Sequence, residues 1–281
     1  KKENLKSEEL GFSTNICSKE SLPFQNLGSL EVKLQAKFHP AKFLIGLRRA
    51  AEKYGAVVYE NTEVFDMVGD ASVVVKTENG SVTADYFVMA THQPFKDLKE
   101  LFAHKATYLS YVLEIEIPKN IIAEGLYEDT KNPYHYFRVD ISENKDRIIL
   151  GGEDHRREIP ISPEKNFKAL EIYFKKLFPN AKYEIVRKWV GPIIETIDGL
   201  PYIGQYAKAY SNRFVATGFS GNGITYSVIA GQIITDKILN KQNDYSDIYY
   251  AGRNTRLYNL MKKAIYFTFE FFGGAVRNFF R

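Results

Sequence analysis

A glycine-rich turn near the end of the chain is the stretch whose residue types most directly suggest chemistry. The turn, residues 218–223, holds three glycines in six positions. A short β-branched and apolar run precedes it, and apolar side chains recur at helical spacing from Ile224 onward, so the pattern predicts a strand, a turn and a helix. Unpaired N–H groups at the start of a helix attract an anion, or an atom that becomes negative during a reaction. A plain strand–turn–helix connection is the alternative.

Side chains that could bind a substrate or move a proton lie in the middle of the chain. Tyr136 and Arg138 alternate in phase on a predicted strand, so they should share one face. An arginine can hold a carboxylate through two parallel hydrogen bonds, but Arg138 could equally be a surface residue paired with Asp140 or Glu153. Histidine exchanges protons near neutral pH, although a single histidine is more often structural. Three histidines share that ambiguity: His39, His92 and His155.

The composition is that of a folded protein of moderate charge. The chain has 281 residues, 44% of them hydrophobic, and a formal net charge of +4, which is too small and too scattered for a nucleic-acid partner. The single cysteine, Cys17, excludes an internal disulfide and suits a cytoplasmic location. No metal-ligand spacing occurs, so no metal is expected. No apolar run reaches about 18 residues, so we expect no membrane span, and we expect no signal peptide.

Secondary-structure patterns divide the chain into two α/β parts around an antiparallel centre. The first part predicts a strand at 32–38, followed by a helix at 41–54 capped by Gly55 and a strand at 56–59. This helix, glycine and second strand make half of a parallel β-α-β unit. Further elements follow in order: strands at 64–68, 73–76 and 82–91 with a hairpin turn at Asn79-Gly80, a strand at 107–118, a hairpin of 134–139 with 147–152, a helix at 162–178, a strand at 183–190 and a surface helix within 253–281.

Seven segments, taken together and in order, resemble a known family. They are QAKFHPAKFLIGL (35–47), YENTEVFDM (59–67), ADYFVMATHQPF (84–95), SYVLEIEIP (110–118), RIILGGEDHR (147–156), RKWVGPIIETIDGLPYIG (187–204) and RFVATGFSGNGITYSVIAG (213–231). The family is the D-amino-acid-oxidase and glycine-oxidase superfamily of FAD-dependent oxidoreductases, and the resemblance is closest to the branch fused to a C-terminal Rieske domain. It implies an α/β fold, α+β in part, made of an incomplete FAD-binding Rossmann-like domain and an antiparallel-sheet substrate domain.

The resemblance also implies the domain organisation. Residues 1–105 would be part of the FAD-binding domain with a helical lead-in, 106–190 the antiparallel substrate-binding domain, 191–245 a return to the FAD-binding domain, and 246–281 a C-terminal helical segment. The family begins with a GxGxxG unit that holds the FAD pyrophosphate. This sequence has no GxGxxG and no Cys/His pairs for a Rieske cluster, so we expect an internal fragment of a longer flavoprotein.

Cofactor contacts follow residue by residue from the resemblance. The flavin edge that gains negative charge would meet the glycine-rich turn, whose N–H groups would act as an oxyanion hole does. The residues of this contact are Gly218, Phe219, Ser220, Gly221, Asn222, Gly223, Ile224 and Thr225. Val64 would meet the adenine through its backbone, unless it is an ordinary strand valine. Ala90 and Thr91 would pass the pyrophosphate and ribose.

The implied activity is oxidation of a C–N bond in an amine or amino acid, with FAD as cofactor. Tyr136, Arg138 and His155 are the candidate substrate residues, and no catalytic residue is assigned. Electrons would pass to oxygen or to a partner such as a Rieske-type domain. Residues 193–195 (Ile-Ile-Glu) stand where glycine-oxidase relatives carry an arginine, which weakens the case for an ordinary amino-acid oxidase. A non-catalytic binding or scaffolding module that has lost the flavin is the alternative.

Overall fold

A computed structural model describes residues 2–95, 105–131, 133–206 and 210–253. The chain divides into two units, residues 1–58 with 109–191 and residues 59–108 with 192–281. The described helices are α1 (Lys2–Glu9), α2 (Pro40–Lys53), α3 (Pro163–Leu177) and α4 (Gly223–Ile238). The described strands are β1 (Thr14–Cys17), β2 (Ser29–Val32), β3 (Val64–Val68), β4 (Val73–Thr77), β5 (Gly80–Ala84), β6 (Phe87–Met89), β7 (Lys105–Ile117), β8 (Gly125–Glu128), β9 (His135–Asp140), β10 (Asp146–Arg156), β11 (Glu184–Thr196), β12 (Tyr202–Gln205) and β13 (Arg213–Thr217).

A five-stranded sheet covered by α3 forms the core of the first unit. Its strand order is β11-β7-β10-β9-β8, and β9 is antiparallel to both of its neighbours. Apolar side chains of β7, β9 and β10 pack on α3, whereas the alternating burial of β9 places Tyr136 and Arg138 on the other face. The predicted β9–β10 hairpin is confirmed, as is the helix at 162–178. The strand predicted at 183–190 continues to Thr196.

Strand β13 lies at the centre of the second unit and is buried along its whole length. It pairs antiparallel with β12 and parallel with β6. Phe214 and Ala216 pack with α4, while Val215 packs with Met67 and Val73 of the β3-β4-β5 hairpin sheet. The β-branched, apolar composition of β13 matches a strand that is covered on both faces. The predicted strand–turn–helix is therefore confirmed, and so is the β4–β5 hairpin.

The strand predicted at residues 32–38 is wrong beyond its first residue. Residues 29–32 pair with residues 14–17 as the β1–β2 hairpin. Leu34 adopts a φ of 58°, which an extended strand does not allow. The ammonium group of Lys37 then donates to the carbonyl oxygen of Val139 at 2.6 Å. The segment after Val32 is therefore a connection tied to β9.

The predicted strand at 56–59 is also absent, so the expected half of a β-α-β unit is wrong. Helix α2 forms as predicted, and Gly55 follows it with a φ of 94°. However, every residue of α2 is exposed, and Val57 and Val58 after it are exposed as well. An apolar run becomes a buried strand only if a sheet receives it, and within the described residues none receives this one.

Residues 82–91 form two strands where one was predicted. The side-chain amide of Asn212 donates to the carbonyl oxygen of Asp85 at 3.1 Å, and the N–H of Phe87 donates to the carbonyl oxygen of Asn212 at 2.9 Å. Because of these bonds, the chain leaves the hairpin sheet after β5. The following residues form β6, which pairs with β13.

No described helix is both long and apolar enough to cross a membrane. The surface helix predicted within residues 253–281 falls, from residue 254 onward, outside the described residues. The predicted domain boundaries stay a prediction.

Candidate functional site

The glycine-rich turn begins where β13 ends, and its first residue must be glycine. Gly218 has a φ of 75°, and a Cβ placed on it would lie 2.5 Å from the Cγ2 atom of Thr196. Ser220, also left-handed at 51°, donates its N–H to the carbonyl oxygen of Ile194 at 3.0 Å. The end of β11 therefore holds the turn in place, because it supplies both the steric wall and the acceptor.

The start of α4 supplies free donors next to open space. Tyr226 donates the first intrahelical hydrogen bond, to the carbonyl oxygen of Asn222 at 3.0 Å, so the N–H groups of Gly223, Ile224 and Thr225 precede that bond and have no partner inside the helix. The side chain of Asn222 makes no capping bond. A Cβ added at Gly221 or Gly223 would meet no described atom within 4 Å. The turn therefore has the donors and the room that the electron-accepting edge of a flavin requires.

Ala90 and Thr91 lie at the same edge of the sheet as this turn. Strands β6 and β13 are parallel, so their carboxyl ends, which lead into residues 90–91 and 218–223, are adjacent. The Thr217 hydroxyl confirms the proximity because it donates to the carbonyl oxygen of His92 at 2.5 Å. Ligands of open parallel sheets bind at this edge. The structure thus brings together two sets of residues that are more than 120 positions apart in the sequence.

Val64 lies in a different sheet, where β3 pairs with β4. It is half-buried and opposite Thr77. An open cleft lies beside it, lined by Asn61, Thr62, Glu63, Thr77, Glu78 and Asn79. A ligand could reach the Val64 backbone from this cleft, but an ordinary strand valine would also have these surroundings.

A partly buried ion pair, which the sequence pattern does not indicate, joins Asp198 to Arg253 next to Thr196. Arg253 donates to both carboxylate oxygens of Asp198 at 2.7 Å and to the carbonyl oxygen of Leu200 at 2.6 Å. The hydroxyl of Thr196 donates to the same carbonyl oxygen at 2.7 Å. Burial works to raise the pKa of Asp198, but the hydrogen bonds and charge of Arg253 outweigh it and hold the pKa below its ordinary value. The Asp-Gly-Leu-Pro run at 198–201 indicates a turn, but nothing in it points to Arg253.

Arg138 is already paired within its own unit. Its guanidinium donates to a carboxylate oxygen of Asp140 at 2.8 Å and to the carbonyl oxygen of Phe38 at 2.9 Å. Lys37 also contacts Asp140, and it pairs with Glu124 at 2.7 Å. Although burial works to raise the pKa of Asp140, these two cations hold it below its ordinary value. The arrangement favours the alternative in which Arg138 is a structural residue paired with Asp140. Glu153, the other partner considered for Arg138, pairs with His135.

The three histidines of the segments that resemble the family pack, cap a helix or turn the chain. His155 is buried, stacks on Tyr111 with 5.6 Å between ring centroids, and lies 3.5 Å from the side-chain amide of Asn166. His39 caps α2, where its ring nitrogen accepts the N–H of Lys42 at 3.4 Å. His92 has a φ of 60° and turns the chain after β6. Within the described part of the chain, no cluster of His, Cys, Asp or Glu could hold a metal ion.

The fold and the turn are those of a class of proteins, the FAD-dependent oxidoreductases. The sequence profile of the family described as "FAD dependent oxidoreductase" matches residues 4–237. The chain therefore belongs to this family of FAD-dependent oxidoreductases, whose cofactor is FAD.

Two relatives and one solved structure illustrate how similar this chain is to known proteins and how much of each protein it covers. YhfW of Bacillus subtilis, named as a Rieske 2Fe-2S iron-sulfur protein, is 27% identical over 87% of this chain and 48% of its own length. Gamma-glutamylputrescine oxidoreductase of Escherichia coli is 26% identical over 79% of this chain and 52% of its own length. The crystal structure of glycine oxidase from Geobacillus kaustophilus superposes with a TM-score of 0.70 at 21% identity, covering 90% of this chain and 70% of that one, which is a similarity of fold. The chain thus spans about half the length of these curated relatives.

Proposed function

We propose that this chain carries the flavin-edge turn and the substrate sheet of an FAD-dependent oxidoreductase that oxidises a C–N bond in an amine or amino acid. The observation that carries the proposal is the turn at 218–225, which has free N–H groups, open space and a place at the carboxyl edge of the parallel pair β6–β13. Membership of the family supports it. Two similar proteins are named for glycine and gamma-glutamylputrescine, which both contain C–N bonds.

Each group of residues has a separate role in this proposal. FAD, when bound, accepts the hydride equivalent. The N–H groups of Gly223, Ile224 and Thr225 stabilise the negative charge that develops at the flavin edge, because they are fixed in place before the reaction begins. Ala90 and Thr91 pass the pyrophosphate and ribose, and the backbone at residue 64 meets the adenine. Tyr136 contacts the substrate from the open face of β9.

The wider activity is a proposal about the whole protein. The name of YhfW supports a Rieske-type domain or partner as the acceptor of electrons. The GxGxxG unit with which the family holds the FAD pyrophosphate does not occur in this sequence. The cytoplasmic location that Cys17 suggests stays a prediction.

Filling the open space at the turn tests the cofactor site. Gly223→Val places a branched side chain where no described atom lies within 4 Å, so the protein should fold normally and lose at least about tenfold in FAD affinity, because the flavin edge no longer reaches the N–H groups. The measurement is the ratio of flavin absorbance to protein absorbance after purification of the complete gene product, followed by anaerobic bleaching with glycine and putrescine.

Gly231→Val is the matched control, since Gly231 lies in the same helix and also has open space around it. Equal flavin content in the two variants would contradict the assignment of the turn. A complete gene product that folds but contains no flavin would favour the non-catalytic binding module instead.

A further inference from the structure

Two tyrosines and a carboxylate lie together on the open face of the five-stranded sheet. Tyr134 and Tyr136 stack with 6.1 Å between ring centroids and 27° between ring planes. The hydroxyl of Tyr134 donates to Oδ2 of Asp154 at 3.3 Å. Glu128 is the direct cross-strand neighbour of Tyr136 on β8. This group of Tyr134, Tyr136 and Asp154, with Glu128 at its side, combines aromatic faces with negative charge.

The backbone of β10 is shaped to seat the ring of Tyr136. Gly151 is its cross-strand partner, and a Cβ at residue 151 would lie 2.2 Å from the Cζ atom of the tyrosine ring. Gly152 and Glu153 then adopt φ values of 142° and 56°, which interrupts the regular strand just before Asp154. The ring can lie against the strand only because residue 151 has no side chain, and Tyr134 stacks on the same ring.

The charge of Asp154 is not balanced within the described residues. Its Oδ1 atom is buried and has no hydrogen-bond partner there, and no described lysine or arginine forms an ion pair with it. A buried acceptor without a partner costs free energy that a donor would recover. Burial first, and then the charge of Asp154, raise the pKa of Tyr134, and burial is also the main cause that raises the pKa of Tyr136. Both phenols therefore stay neutral and face a carboxylate.

Arg138, two residues along the same face, has its charge balanced by a carboxylate, although its Nε atom is buried and has no hydrogen-bond partner among the described residues. Asp140 and the carbonyl oxygen of Phe38 already accept from its guanidinium. An incoming carboxylate would have to share the guanidinium of Arg138 with Asp140, whereas no described lysine or arginine pairs with the carboxylate of Asp154. The charge balance along β9 therefore favours a cation over an anion as the group that binds beside Tyr136.

We propose that Tyr134, Tyr136 and Asp154 form a subsite for an organic ammonium group, so that the substrate belongs to the aliphatic amines and not to the amino acids held by their carboxylate. The proposal rests on the proposed function, since it assigns part of the substrate to the same sheet face. The ammonium group pairs with the carboxylate of Asp154 and lies against the tyrosine rings, which attract cations through their π faces.

The test compares two probes of similar size and opposite charge. The purified chain is titrated, without flavin and at constant ionic strength, with n-butylammonium chloride or with sodium butyrate, and the ring signals of Tyr134 and Tyr136 are followed by NMR. Butylammonium should shift these signals saturably and butyrate should not. Asp154→Asn and Tyr136→Leu should each raise the Kd for butylammonium about tenfold. Glu143→Gln and Tyr54→Leu, an exposed carboxylate and an exposed tyrosine elsewhere in the unit, are the matched controls and should leave it unchanged.

Two results would overturn the subsite: equal binding of butyrate and butylammonium, or an unchanged Kd in both Asp154→Asn and Tyr136→Leu when their urea unfolding curves match the parent. The readout is independent of the flavin. A complete protein that amines bleach with the same KM in parent and Asp154→Asn rejects the subsite and leaves the oxidase intact. A protein without flavin in which the predicted Kd changes occur rejects the oxidase and supports the cation subsite.

Discussion

Single residues decide which charges in this chain are available to a ligand. Arg253 donates to six acceptor atoms and Arg138 to two, so both cations are engaged in structure. The sequence alone leaves the pairing of Arg138 with Asp140 open, because positions i and i+2 of a strand share a face whether or not their side chains touch. It could not find the Asp198–Arg253 pair, because 55 residues separate its members.

The ion pair of Asp198 gives the second unit a pH-dependent stability. The folded pKa of Asp198 lies below its ordinary value, so its contribution to the free energy of unfolding is present above about pH 4 and is lost as the pH falls through the folded pKa. Asp198→Asn should therefore lower the free energy of unfolding by about 2 kcal/mol at pH 7, because Arg253 keeps only a neutral partner.

Urea unfolding of parent and Asp198→Asn at pH 7 and pH 3 measures this effect. The difference between the two proteins should shrink at pH 3, because below about pH 4 the carboxyl of residue 198 binds a proton in the unfolded chain more readily than in the folded protein. If the difference in the free energy of unfolding stays constant with pH, the Asp198 side chain stabilises the protein through packing and neutral hydrogen bonds and not through its charge.

Secondary-structure elements were predictable where their cause is local. The run of β13, the glycines of the turn and the periodicity of α4 lie within 26 consecutive residues, and all three elements formed as predicted. The strand at 56–59 failed because burial, which its apolar residues require, depends on a sheet elsewhere in the chain. The parallel pairing of β6 with β13 could not be predicted from local pattern, because it joins residues about 125 positions apart.

The connection between β13 and α4 depends on the missing side chain of Gly218. Gly218→Ala should destabilise the protein by about 3 kcal/mol, because its φ of 75° is unfavourable for alanine and its Cβ would collide with Thr196. Thr196→Ser removes the colliding methyl group and keeps the hydroxyl that donates to Leu200.

The double variant Gly218→Ala/Thr196→Ser should thus regain the part of the free energy of unfolding that the collision with Thr196 removes. The part that the unfavourable φ of alanine removes should remain lost. A double-mutant cycle measured by urea unfolding separates the two parts. Gly221→Ala, in the same turn but with open space around it, is the control and should change stability by less than about 1 kcal/mol. Strictly additive effects of the two substitutions would contradict the collision.

At the scale of the whole molecule, stability is distributed unevenly among the helices. Helix α2 has 14 residues and buries none of them, whereas α3 has 15 residues and buries four. Isolated helices of this length are marginal in water. The backbone amides of α2 should therefore exchange with deuterium at least about a hundredfold faster than those of α3, because α2 can open without disturbing the core.

Hydrogen–deuterium exchange of the purified chain, read by mass spectrometry of peptides covering α2 and α3, measures the difference. The two helices are matched in length and in having proline at their start, so propensity at the first turn is controlled. Equal protection would show that α2 is packed in solution.

The exposed apolar residues of α2 also affect the heat-capacity change on unfolding. Phe43, Leu44 and Leu47 are about half exposed in the folded state, so unfolding exposes little additional apolar surface there. The heat-capacity increment and the urea m value both scale with newly exposed surface. Both the heat-capacity increment and the urea m value should therefore be smaller than is usual for a protein of this length. The free energy of unfolding should accordingly depend only weakly on temperature.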